Sequence, residues 1–193
     1  MADNLLSRFL RYVQIDTQSS EDKPTIPSTP GQWDLLRLLE SELKDLGAPD
    51  VTLTEKGYVL ATVPATTDNP RVPVVAFMAH VDTAHEFSGH GVRPLVHRQW
   101  DGKPIHLPHD VTQVLDPAVH PDLLTAVGKD LVTASGKTLL GADDKAGVAI
   151  VMTLAQNRDP SFLACQPSLP KWPSAADRRS SSRGSALRFS SPG

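Results

Sequence analysis

The sequence predicts an α/β domain built on a mixed sheet, followed by a tail without regular structure. Three observations carry that prediction. Apolar residues recur at helical spacing near the start, between residues 30 and 46, and again after residue 144. Between them lie short β-branched runs and one nearly continuous apolar run, Val72 to Ala79, of the kind a strand buried on both faces shows. Past Gln156 the composition turns abruptly to Ser, Pro and Arg.

The elements follow in order. Asp3 or Asn4 can cap a first helix that carries Leu5, Leu6, Phe9, Leu10 and Val13 on one side. Residues 15 to 23 are polar and predict a loop. Thr29-Pro30-Gly31-Gln32 has the form of a capping box with Pro at the first helical position. The helix it opens carries Leu35, Leu36, Leu39, Leu43 and Leu46, ends at Gly47 and is stopped by Pro49. Val51 to Thr54 and Tyr58 to Val63 predict two strands around Glu55-Lys56-Gly57. The Val72–Ala79 run follows and ends in His80. Residues 84 to 130 predict irregular structure. Asp130 to Thr133 and Thr138 to Leu140 predict short strands, and a helix starts near Asp144. The alternation predicts a mixed sheet with helices on both faces.

Composition bounds the function. Apolar content of 39% suffices for a core in most of the 193 residues. A net charge of -3 argues neither for a nucleic-acid partner nor for an anionic membrane surface, and neither partner is expected. No apolar run is long enough to span a bilayer. An acid follows Met-Ala where a signal peptide would carry positive charge, so a cytoplasmic protein is expected. Cys165 is the sole cysteine, which excludes an intrachain disulfide and a cysteine-based zinc site.

Two segments can carry chemistry. His80-Val81-Asp82-Thr83 lies where the buried strand ends, the place where open α/β sheets hold their sites. His80 can offer a ring nitrogen to a metal. Asp82, two residues on, lies on the same side of an extended chain and can accept the other ring N–H. An ordinary strand-end histidine explains the same residues. Gly141-Ala142-Asp143-Asp144-Lys145-Ala146-Gly147 places two carboxylates between strand and helix. They could bind cations, or simply cap the helix.

Taken together, the two motifs about sixty residues apart resemble the co-catalytic zinc peptidases of the M20 family, and more narrowly its peptidase T branch, the tripeptide aminopeptidases. Leu5 to Thr17 (LLSRFLRYVQIDT), PSTPGQW from Pro27, LTEKG from Leu53 and GKTLLGADDKAGV from Gly136 carry the same resemblance, collinear over residues 4 to 156. It implies the N-terminal part of a co-catalytic zinc exopeptidase catalytic domain. It implies that His80 ligates one zinc, that Asp143 bridges two, and that Asp82 is the active-site acid behind His80. It implies a cis peptide bond after Asp143. It also implies short peptides, tripeptides in particular, as substrates.

The same resemblance calls for a Glu-Glu pair after the helix, a further acidic ligand, an inserted dimerisation domain and a last histidine ligand. Residues 157 to 193 contain no glutamate and no histidine. Six basic residues there (Arg158, Lys171, Arg178, Arg179, Arg183, Arg188) against Asp159 and Asp177 give 6 − 2 = +4, leaving −3 − 4 = −7 for the rest. The chain thus divides into a partial catalytic domain, 1–156, and a low-complexity tail, 157–193, of foreign or frameshifted origin. The expectation is a truncated, inactive peptidase with at most partial zinc binding. The rival is a non-enzymatic binding or assembly module that keeps half a metal site.

Overall fold

The computed structural model describes residues 4–65, 67–69, 71–157 and 187–190. Helix α1 (Leu5–Val13) starts at Asn4, whose side chain accepts from Ser7 N–H at 2.8 Å while Ser7 Oγ accepts from Asn4 N–H at 3.1 Å. This closes a capping box and satisfies two otherwise unpaired donors. The buried positions of α1 are Arg8, Tyr12 and Val13, and Phe9 packs on the core, whereas Leu5 is exposed, so the helix is turned part of the way from the predicted face. Arg8 and Tyr12 set that rotation, because both reach Glu42 on the next helix.

Helix α2 (Pro30–Asp45) buries Leu35, Leu36, Leu39 and Leu43 as predicted. Its predicted capping box does not form. The Thr29 hydroxyl donates to Gln18 O at 2.8 Å, and Gln32 Oε1 accepts instead from Ser28 N–H at 3.1 Å. The far end closes as predicted: Ala48 N–H donates to Leu43 O at 3.0 Å and Gly47 N–H to Lys44 O at 2.8 Å, a Schellman motif.

Strands β1 (Thr52–Leu53), β2 (Val59–Ala61) and β3 (Met78–His80) belong to one sheet with β8 (Leu187–Ser190), in the order β1-β2-β8-β3. β1–β2 and β2–β8 are antiparallel and β8–β3 is parallel, so the sheet is mixed, as expected. Two smaller pairs stand apart: β4 (Leu95–His97) with β7 (Leu131–Thr133), and β5 (Ile105–His106) with β6 (Val114–Leu115). A 3-10 turn, Pro121–Ala126, separates β6 from β7. Helix α3 (Ala142–Gln156) packs on β3 and α1. Val59, Ala61, Ala79 and Val81 meet leucines of α2 and Val148, Ala149, Val151 and Met152 of α3 in one core.

Four expectations are corrected. The three helices join a single core on one side of the sheet, and no helix among the described residues covers the other side. Accordingly the Val72–Ala79 run is not buried on both faces: Val74, Val75, Phe77 and Met78 are exposed, and only its end forms β3. Residues 138–140 form no strand, while the stretch expected to be irregular holds β4, β5 and β6. Lastly, the tail is not wholly without regular structure. Leu187–Ser190 is a strand, and its Leu-Arg-Phe-Ser alternation has the period a strand requires. The rest of the expected tail, 158–186 and 191–193, lies outside the described residues.

Candidate metal centre

The two predicted segments meet. β3 delivers His80 at its C-terminal end, and the start of α3 delivers Asp143 and Asp144. His80 Nε2 lies 3.1 Å from Asp143 Oδ1. His80 Nδ1 lies 3.1 Å from Asp82 Oδ1 and 3.1 Å from the Asp82 carbonyl oxygen. All three sequence-predicted site residues are therefore in one cluster, and the Asp143–Asp144 peptide bond is cis, as the resemblance implies.

The adjacent carboxylates divide the work. Asp144 Oδ1 accepts from Gly147 N–H at 3.1 Å and its Oδ2 from His80 N–H at 3.4 Å, so it caps α3 and ties the helix to β3. Gly147 is needed for this contact, since a Cβ there would sit 2.2 Å from Asp144 Oδ1. Asp143 takes no part in the cap: its Oδ1 faces His80 Nε2, and 96% of its side chain is exposed. The capping reading thus holds for Asp144 and the ligand reading remains open to Asp143.

Electrostatics point the same way. An ionised Asp82 carboxylate only accepts, so Nδ1 is the ring's donor and Nε2 carries the lone pair. Nε2 and Asp143 Oδ1 then face each other as two acceptors, which requires a positive charge on or between them. Partial burial opposes a proton on His80, but the carboxylates of Asp82, Asp143 and Asp144 outweigh it and hold the imidazole pKa above its ordinary value. Burial likewise lifts the Asp82 pKa, with His80 pulling against it. The pair fits one edge of a metal site. It does not complete one: zinc takes four ligands, and among the described residues no three His, Cys, Asp or Glu side chains are placed to hold one ion.

Lys145 was not singled out by the sequence as a site residue. It is 1% exposed, and its Nζ donates to Ile15 O at 2.7 Å. Burial pulls its pKa down to about 8, against the opposing pull of Asp16. The signal was present: positions 145, 148, 149 and 152 share one helix face, and all four are buried. Lys145 secures the loop after α1, which is also stitched to the histidine motif. Thr83 N–H donates to Thr17 O at 3.1 Å, and Ser19 N–H donates to Thr83 O at 2.9 Å.

No family model matches the chain. Peptidase T of Bacillus mycoides is 49% identical over 152 residues, covering 79% of this chain and 37% of that protein. Peptidase T of Bacillus anthracis gives the same identity and coverage. This chain spans a little over a third of the length of these curated relatives, 37%. A solved tripeptidase from Staphylococcus aureus is 21% identical with a TM-score of 0.48, covering 96% of this chain and 34% of that one.

Proposed function

We infer that this chain, a homologue of peptidase T over 152 of its residues, carries one side of the two-zinc centre of an M20-type aminopeptidase that releases the N-terminal residue of short peptides, tripeptides above all. The observation that supports this reading is the facing pair His80 Nε2 and Asp143 Oδ1 at 3.1 Å, a separation that the proton of an imidazolium bridges and that a metal ion would bridge in its place. His80 and Asp143 would hold the metal, Asp143 as the carboxylate shared between two ions. Zinc, when bound, polarises the scissile carbonyl and acidifies a water. Asp82 holds the Nδ1 proton of His80 and so keeps Nε2 directed at the metal position. Asp144 fixes the separation of strand and helix on which the pair depends.

Proton movement needs a base near the water. The five glutamates of the chain do not serve. Glu42 joins Arg8, Arg11 and Tyr12, Glu40 pairs with Lys44, and Glu21 and Glu86 both face His85. Glu55 lies in the turn between β1 and β2. We therefore propose that residues 1–156 are a partial catalytic domain of a cytoplasmic enzyme, and that the 193-residue polypeptide by itself turns over no peptide. We propose further that residues 157–193 are foreign to the domain; a Glu-Glu codon pair in another frame past codon 156 would support this.

The test is an assay of the 193-residue chain with trialanine and excess zinc, beside a zinc titration by calorimetry. No turnover is expected, with weak zinc uptake that disappears in His80→Ala and in Asp143→Ala. Zinc uptake unchanged by both substitutions would remove the site assignment. Turnover abolished by His80→Ala would instead show a working site and overturn the proposed inactivity.

A further inference from the structure

We propose that the gap between β2 and β3 is a strand-acceptor site, and that Leu187–Ser190 is its exchangeable occupant. β2 and β3 are successive strands in sequence, yet neither pairs with the other. The strand between them arrives 187 − 80 = 107 residues after β3 ends. It pairs antiparallel with Val59, Leu60 and Ala61 and parallel with Met78, Ala79 and His80. Two strands held apart in this way leave facing rows of main-chain donors and acceptors, which any extended segment of the right polarity can satisfy.

The occupant is short. Four residues make few ladder bonds, so it is held loosely compared with a full-length strand. In sequence it lies 30 residues, 157–186, beyond the end of α3. What the slot selects is therefore polarity and alternation: an extended segment of alternating apolar and polar residues, parallel to β3. Its far end lies opposite His80, but the inference does not depend on zinc.

The experiment uses the full chain with Cys165→Ser. Leu60→Cys with Arg188→Cys places two thiols at a directly opposed position of the β2–β8 ladder. Val59→Cys with Arg188→Cys, one residue out of register, is the control. The in-register pair should oxidise faster. A synthetic peptide of residues 184–191 (GSALRFSS) at millimolar concentration, the range needed to compete with a tethered segment, should slow that oxidation roughly tenfold. A peptide of the same composition with the alternation broken should not. Cross-linked dimers of the in-register variant also uphold the acceptor, with a second copy's strand in it. Equal rates for both cysteine pairs would overturn the proposal, as would an in-register rate indifferent to the peptide. Should the cysteine variants fail to fold, a dye-labelled peptide 184–191 titrated into the unmodified chain reads the same site. Saturable binding by it but not by the broken-alternation peptide supports the acceptor, and equal binding or none sinks it.

Discussion

At the scale of single residues, the centre depends on a few short polar contacts around His80. Asp82 is 13% exposed and meets the ring nitrogen of His80 that points away from Asp143. Removing the carboxylate leaves only the Asp82 carbonyl oxygen, also 3.1 Å from Nδ1, to hold that proton, and takes away the negative charge that raises the basicity of Nε2. Asp82→Ala should therefore weaken zinc binding about 10- to 100-fold while Asp143→Ala removes it, as measured by competition with a zinc-sensitive dye. Equal losses from the two would show that Asp82 is itself a ligand. His80, Asp82 and Asp143 were legible because their types and spacing are chemical. Lys145 was not, since a lysine after two acids looks like an exposed first-turn charge until its helix face is known. Gly31 is another silent position: a Cβ there would come within 1.8 Å of Asp16 O, in the loop that Lys145 holds. Gly31→Ala should lower stability by about 1–3 kcal/mol, read by urea denaturation, through forced displacement of that loop. A neutral result would mean the loop yields freely.

At the scale of elements, α1 and α2 are joined by a buried polar cluster, which explains why hydrophobic spacing found both helices but misjudged the face of the first. Arg8 Nε lies 3.2 Å and Tyr12 Oη 2.6 Å from Glu42 Oε2, and Arg11 Nη2 lies 2.6 Å from Glu42 Oε1. Arg8 also donates to Thr153 Oγ1 on α3 at 3.3 Å, so one carboxylate organises three helices. Deleting it strands a guanidinium that is 3% exposed. Glu42→Ala should cost about 3–5 kcal/mol, measured as a fall in the urea midpoint at constant slope. Less than about 1 kcal/mol would mean that the cluster is hydrated. Burial, then the hydrogen bond to Glu42, raises the Tyr12 pKa far above the ordinary phenol value. The linked stability is present in full below the unfolded phenol's pKa, about 10, and is lost as pH rises above it. In a Tyr58→Phe chain, which leaves Tyr12 as the one phenol, tyrosinate absorbance should appear only together with unfolding. Absorbance rising near pH 10 in a folded chain would refute the buried arrangement.

At the scale of the whole molecule, the pattern of residues 72–79 and their surroundings disagree, and the disagreement is physical. A run so uniformly apolar is the pattern of a strand covered on both faces. Here Ala79 and Val81 enter the core on the helix side, while Val74, Val75, Phe77 and Met78 remain exposed. Strand existence was legible from composition. The covering layer was not, because it depends on elements that these residues cannot specify. This chain spans 37% of the length of the curated relatives it matches. Exposed apolar side chains of this size beside a strand edge favour self-association. Phe77→Ser with Met78→Lys should therefore lower light scattering and the fluorescence of an apolar-binding dye. It should leave the unfolding free energy within about 1 kcal/mol per substitution, since Met78 is 72% exposed and Phe77 46% exposed. A much larger loss of stability would show that this face is covered in solution, by the chain itself or by a second copy. Repeating the measurement across a range of protein concentrations separates those two, because only cover by a second copy weakens on dilution.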